Sequence, residues 1–191
     1  SINVGLIGFG VVGSGVVELF LQNKNSGVSM KKIAVRDLKK SRKLPFSGLT
    51  ANVNDIIEDP EIDIVVELIG GYTPAKDYIM KAIQNGKHVV TANKAVISEH
   101  GPEIFAEAKK HQVNVGFEGS VAGGIPIINP LLEQLAIGRI NSITGILNGT
   151  TNFILTRMNE RVDYGSALNI AQEKGFAESD PGFDVNGIDA A

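Results

Sequence analysis

The sequence has no cysteine and no tryptophan among its 191 residues, and aromatic residues make up only 6% of it. Without cysteine there is no structural disulfide, no thiolate nucleophile and no cysteine-ligated zinc. Histidine is scarce too. His88, His100 and His111 stand apart, with no HxH or HExxH spacing, so they read as structural or surface residues and not as transition-metal ligands. Long hydrophobic runs are also missing: Ile62–Ile69 carries acids and is far shorter than the roughly 18 apolar residues of a membrane span. No basic segment precedes the apolar start at Ile2–Leu6, and glycines follow it, which argues against a signal peptide and makes the cytoplasm the expected compartment. Nor is there an excess of one charge. Eighteen Lys and Arg face 21 Asp and Glu, a net charge of -3 with no run of five like charges, so neither a nucleic acid nor a membrane surface is an expected partner.

What is present is the composition of a globular protein, 43% hydrophobic with 22 Gly and 7 Pro, at a length that allows one or two domains. Short β-branched runs alternate with amphipathic stretches, which predicts an α/β fold with a doubly wound parallel sheet. Strands are expected at Ile2–Ile7, Met30–Val35, Ile62–Glu67, His88–Thr91 and Val113–Phe117. Helices are expected at Gly13–Gln22, Asn54–Asp59, Pro74–Gln84 and Pro102–His111, with Thr73 as the N-cap before Pro74 and Asn85-Gly86 closing that helix. Asp37–Gly48, basic and poor in apolar residues, reads as a solvated loop. Near Gly119 the texture changes, so a first domain over 1–118 and a second over 119–191 are expected. In the second, Ile125–Ile137 reads as a helix, Arg139–Leu147 as a strand, Thr151–Asn159 and Tyr164–Lys174 as helices, and Gly175–Gly187 as a Gly-rich acidic loop. The sequence stops at Ala191 with a possible helix barely begun, which reads as a truncation.

Gly8-Phe9-Gly10-Val11-Val12-Gly13 follows the first strand and opens the first helix. In that context GxGxxG points to a dinucleotide: Gly8 for the tight turn, Gly10 for close approach of backbone to pyrophosphate, and Gly13 for helix-on-strand packing. The expected fold is therefore of the Rossmann type. Arg36-Asp37, 23 to 24 residues after Gly13, sits where the ribose determinant belongs. Asp37 would bond an unphosphorylated ribose, whereas Arg36, helped by Lys39, Lys40 or Arg42, would pair with a 2′-phosphate, and the balance favours NADP over NAD. Lys94, after Thr91-Ala92-Asn93, lies at the carboxyl edge of the sheet, where a partly desolvated amine can move a proton on or off a substrate oxygen. Gly70-Gly71 is similarly placed to let backbone pass close to a cofactor. The four carboxylates Glu178, Asp180, Asp184 and Asp189 cluster in a Gly-rich loop, where solvation is the ordinary reading and capture of an ammonium or metal the alternative.

Taken together, the Gly8–Gly13 fingerprint, Thr91-Ala92-Asn93-Lys94, Glu118–Pro126, Asn148–Leu155, and Gly175–Pro181 running on to Asp189 closely resemble the homoserine dehydrogenases over essentially the whole chain. The resemblance implies NAD(P)-dependent interconversion of L-homoserine and L-aspartate 4-semialdehyde in threonine and methionine synthesis, by a homodimer when intact. It implies Lys94 and Asp189 as catalytic residues, with Glu178, Asp184, Gly175, Asn148 and Thr150 around the substrate. Gly8–Gly13, Arg36, Asp37, Gly70, Thr91 and Lys94 would hold the cofactor. Glu118 with carbonyls near Val121, Gly123 and Ile125 resembles a sodium-binding turn, an oxygen-only site suited to a hard cation. The second domain would be the start of an α+β substrate and dimerisation domain. The family's second catalytic lysine falls four positions beyond Asp189, outside this sequence, so the 191-residue chain is expected to lack full activity. Aspartate-semialdehyde dehydrogenase chemistry is excluded by the missing cysteine nucleophile. Another oxidoreductase of the same cofactor fold, or an NADP-binding sensor without turnover, would share only the first half of these features.

Overall fold

The computed structural model describes residues 1–23, 27–177 and 179–191. Among them the chain forms two compact units, Ser1–Ala136 and Ile137–Ala191. In the first, six parallel strands lie in the order β3-β2-β1-β4-β5-β6. They are β1 (Ile2–Ile7), β2 (Val28–Ala34), β3 (Leu49–Thr50), β4 (Ile64–Glu67), β5 (His88–Thr91) and β6 (Val115–Gly116). Helices α1 (Val11–Gln22), α2 (Asn54–Ile57), α3 (Ala75–Gln84) and α4 (Lys94–Lys110) connect them. Strand order reverses between β1 and β4, which opens a crevice above the carboxyl ends of those two strands.

The sheet is buried on both faces, so its strands are apolar on both sides of the pleat. Val4, Leu6, Ile33 and Val66 pack with Val17 of α1 on one face. Ile7, Val65 and Val89 pack with residues of α2, α3 and α4, among them Ile56, Ile79, Ile83 and Ile104, on the other. Burying such a Val or Ile side chain is worth about 1.5–3 kcal/mol each, which makes these two layers the main source of order in the first unit.

Several sequence expectations are corrected. Helix α4 begins at Lys94, not Pro102: the Asn93 side chain accepts the Val96 N–H and caps it, and Pro102 lies inside the helix. A proline is a start signal only where no better cap precedes it. Pro74, not Thr73, is the N-cap of α3, and no side chain caps that end. The loop after β2 leads into the two-residue β3, whose pairing with Ile33 and Ala34 was invisible to local pattern. Helix α5 (Ile128–Ile137) starts later than Ile125, because the Glu118 carboxylate receives the N–H groups of Ile127, Ile128 and Asn129 and fixes the first turn there.

In the second unit α6 (Gly149–Asn159) and α7 (Tyr164–Glu173) pack through Ile154, Ala167 and Ala171, the small alanines allowing close approach. Arg139–Leu147 is not a strand: alternation alone does not make a ladder, and among the described residues none pairs with it, leaving Ile143, Ile146 and Leu147 exposed. The acidic loop contains a short helix, α8 (Gly182–Val185).

Candidate active site

The turn from β1 into α1 has the geometry that the glycine spacing predicts. Gly8 sits at φ 107°, a conformation costly for any residue with a side chain, and a Cβ there would lie 2.8 Å from the Leu68 carbonyl oxygen. On Gly13 a Cβ would come within 2.3 Å of the Gly8 carbonyl oxygen, so the helix touches the turn after β1 backbone to backbone. Around Gly10 there is open space instead. Its residue caps α1 without a side chain, and the first turn of α1 carries no acid, so the positive end of the helix faces the opening with Val11 and Val12 exposed beside it.

That opening is a cleft of about 560 Å³, lined by Gly8, Phe9 and Gly10 on one side and by Arg36, Asp37, Lys40 and Arg42 on the other. Arg36 and Asp37 are exposed at the end of β2. Asp37 Oδ1 accepts the Lys39 N–H at 2.8 Å. Arg42 crosses the loop: its guanidinium donates to the carbonyls of Asp37 (2.7 Å) and Lys40 (2.8 Å) and lies 5.7 Å from the Phe9 ring centre. Arg42 is thus the brace of the loop and not merely a helper of Arg36.

A smaller pocket of about 220 Å³ continues along the carboxyl edge, lined by Val12, Leu68, Ile69, Gly70, Ala92 and Asn93. Gly70 and Gly71 turn beside it with φ of 72° and 73°. Lys94 is exposed as the first residue of α4, one position past the Asn93 cap. Thr91, read from sequence as a cofactor contact, is buried, and its hydroxyl donates to Glu67 Oε2 at 2.7 Å, so its side chain supports the site from beneath. Glu67, wholly buried at the end of β4, is a supporting residue that the strand pattern alone does not single out. An acid closing a run of Ile and Val is the signal that was available.

In the second unit Asn148 is the organiser. As N-cap of α6 its Oδ1 accepts from the Thr151 N–H and hydroxyl, while its Nδ2 donates to Asp184 Oδ1 and Asp189 Oδ2, each at 2.8 Å. Three residues distant in sequence are thereby gathered. Thr150, which is buried, donates its hydroxyl to the Phe176 carbonyl at 2.6 Å and ties in the turn at Gly175, whose φ is 74°. Glu178 lies outside the described residues.

The sodium expectation meets a different arrangement. Both Glu118 oxygens are taken by three backbone N–H groups, from Asn129 (2.9 Å), Ile127 (2.6 Å) and Ile128 (2.8 Å), and these hold its carboxyl below the ordinary carboxylate range. Those three bonds are the partners the carboxylate has among the described residues. Gly123 lies in a left-handed turn and Ile125 is largely exposed. Val121 is extended, and among the described residues no group of three or more His, Cys, Asp or Glu could hold a metal. Nor is any of the described helices long and apolar enough to cross a membrane.

Comparison with known proteins agrees with this layout. Residues 8–118 match the family model for the NAD-binding domain of homoserine dehydrogenase, and residues 126–191 match the model for homoserine dehydrogenase itself. The homoserine dehydrogenase of Bacillus subtilis (strain 168) is 48% identical over 201 residues, covering 100% of this chain and 46% of the relative. That of Synechocystis sp. (strain ATCC 27184 / PCC 6803 / Kazusa) is 49% identical over 199 residues, with the same coverage. The chain thus spans about half the length of the curated relatives it matches. Among solved structures, a homoserine dehydrogenase from Thiobacillus denitrificans superposes with a TM-score of 0.87 at 48% identity, over 99% of this chain and 46% of that one. A hyperthermophilic archaeal homoserine dehydrogenase in complex with NADPH superposes with a TM-score of 0.80 at 28% identity, over 99% of this chain and 66% of that one. A glycine turn under a nucleotide-sized cleft and an amide-gathered acidic loop, matched in order by two family models, have one common explanation: the chain belongs to the homoserine dehydrogenase family.

Proposed function

We propose that the protein carrying this chain interconverts L-homoserine and L-aspartate 4-semialdehyde with NADP, and less readily with NAD, as a cytoplasmic homodimer serving threonine and methionine synthesis. Residues 1–118 are its dinucleotide-binding domain and 119–191 part of its substrate domain. The observation that carries the reading is the succession of both family matches along one chain, joined to the cleft that Gly8, Gly10, Arg36 and Asp37 line.

Bound there, a dinucleotide would supply the hydride acceptor for the alcohol carbon and the hydride donor for the aldehyde. This chain's residues do the rest. The N–H groups at the start of α1 and the bare backbone at Gly10 receive the diphosphate. Arg36, with Lys40 nearby, pairs with a 2′-phosphate, which supports NADP; Asp37 is the group that would bond a free ribose hydroxyl. Lys94 Nζ moves the proton on or off the substrate oxygen as the hydride leaves or arrives at carbon. Glu178 binds the substrate ammonium, and Asp189, which Asn148 holds together with the substrate-site acid Asp184, is the catalytic carboxylate. No step is assigned to a sodium ion.

The test is homoserine-dependent reduction of NADP and of NAD by the full-length gene product. Turnover with a higher kcat/KM for NADP supports the reading. Tight dinucleotide binding without turnover on homoserine would replace it with a sensor or with another substrate.

A further inference from the structure

Glu67 has no part in the proposed proton or hydride transfer, yet it is 0% exposed at the end of β4, beneath the cleft. A buried carboxylate is costly unless its oxygens are bonded, and here both are. Oε1 accepts the N–H groups of Ile69 (2.8 Å) and Gly70 (3.3 Å), and Oε2 accepts the Thr91 hydroxyl at 2.7 Å. Thr91 Oγ1 in turn accepts the Asn93 N–H at 2.9 Å. The Asn93 carboxamide donates to the Gly71 carbonyl at 2.7 Å, while its oxygen receives the Val96 N–H and caps the helix that begins with Lys94.

These bonds close a ring: from Glu67 to the Gly70-Gly71 turn, across to Asn93, and back through Thr91. Both glycines have left-handed backbones, and the ring holds their turn at the Ile69 and Gly70 amides and at the Gly71 carbonyl. The same ring fixes the residue immediately before Lys94. Ile69, Gly70 and Asn93, all members of it, line the smaller pocket of the cleft. A glutamine at position 67 cannot reproduce it unchanged, because one end of its amide presents N–H donors where the carboxylate presented a lone pair.

We infer that Glu67 is a positioning residue that holds the Gly70-Gly71 turn and Lys94 in register across the reacting end of the cleft. The inference rests on the dehydrogenase reading above, and its test separates the two. Glu67→Gln, Thr91→Val and the double variant are compared with wild type in the full-length gene product. Three quantities are read: amide exchange at Ile69 and Gly70, NADPH affinity by fluorescence titration, and steady-state kinetics with homoserine.

In Glu67→Gln, exchange at the two amides rises about tenfold or more, and NADPH binds about fivefold more weakly. Its kcat at saturation falls about tenfold or more, since small displacements of a reacting group are expensive, while KM for homoserine stays within about twofold. The double variant is no worse than the worse single one, because both break the same ring. Wild-type exchange and kcat in a folded Glu67→Gln overturn the inference. If that variant does not fold, Thr91→Val, which removes only the hydroxyl's link, must give the same split or the inference fails. If wild type shows no turnover on homoserine, the dehydrogenase reading fails, and unchanged amide exchange and NADPH affinity in the variants then overturn the positioning role by themselves.

Discussion

Asn148 donates a 2.8 Å hydrogen bond to Asp189 across 41 residues of sequence, and the second hydrogen of the same amide is engaged by Asp184. Two carboxylates that would repel each other are brought to one neutral donor, which also caps α6 through its oxygen. Replacing Asn148 with Ala removes both functions. Loss of the cap costs about 1 kcal/mol, visible as a lower midpoint in urea, and KM for homoserine rises about tenfold as the acids drift apart. Asn148→Asp keeps the cap but sets a third negative charge against the two acids, so its KM for homoserine is expected to rise further than in Asn148→Ala. A kinetic profile like wild type in either variant would sink this reading of Asn148.

Gly10 and Gly13 make opposite demands. Alanine at position 13 puts a Cβ 2.3 Å from the Gly8 carbonyl oxygen, a backbone atom that cannot swing away. Gly13→Ala is expected to lose about 1–3 kcal/mol of stability, by the usual cost of overpacking. Alanine at position 10 meets nothing within 4 Å, so Gly10→Ala is expected to fold normally and bind NADPH about tenfold more weakly, since the methyl group stands where diphosphate approaches. Thermal unfolding and NADPH titration of the pair separate a packing glycine from a ligand-facing one.

At the opposite edge of the sheet, Asp59 accepts from Lys32 at 2.9 Å and also faces Lys31, which pairs in addition with Glu61. The Lys32 bond, then the Glu61 N–H, hold the Asp59 carboxyl at about 2, below its ordinary 3.8. A lowered folded-state value means that the contribution to stability is complete above about pH 4 and disappears as pH falls through about 2. Denaturant unfolding across that window is expected to give a shallower loss in Lys32→Met than in wild type. Equal slopes would show that the Lys32 bond to Asp59 carries none of the acid sensitivity.

Cofactor choice is expected to divide between two arginines. Arg36 is exposed in the cleft, so Arg36→Ala should lower affinity for NADP about tenfold, the loss of a charge-assisted contact, and leave NAD almost unchanged. Arg42 is bonded to the carbonyls of Asp37 and Lys40. Arg42→Ala should therefore loosen the whole loop and weaken both dinucleotides alike. Binding titrations of both variants with both cofactors check the distinction.

The features legible in the sequence were those written in consecutive residues. The β1–glycine–α1 unit, the left-handed Gly86 after α3 and the gathering of Asn148 with the acidic loop all follow from local motifs or from the resemblance they carry. What escaped depended on distant partners. Leu49–Thr50 is a strand only because Ile33 and Ala34 lie beside it, whereas Arg139–Leu147 alternates correctly and pairs with none of the described residues. Nothing in Glu118's own neighbourhood announced the three amides that converge on it from Ile127, Ile128 and Asn129. The Glu67 ring joins two loops across the sheet, and only the fold brings them together.

The sheet ends in strands of two residues on either side, Leu49–Thr50 at one margin and Val115–Gly116 at the other. Margins so short expose too few unpaired amides and carbonyls to template a foreign strand. The long apolar strands capable of cross-β assembly are confined to the interior, so concentrated solutions of the folded first unit should resist fibril formation even though its centre is rich in isoleucine and valine.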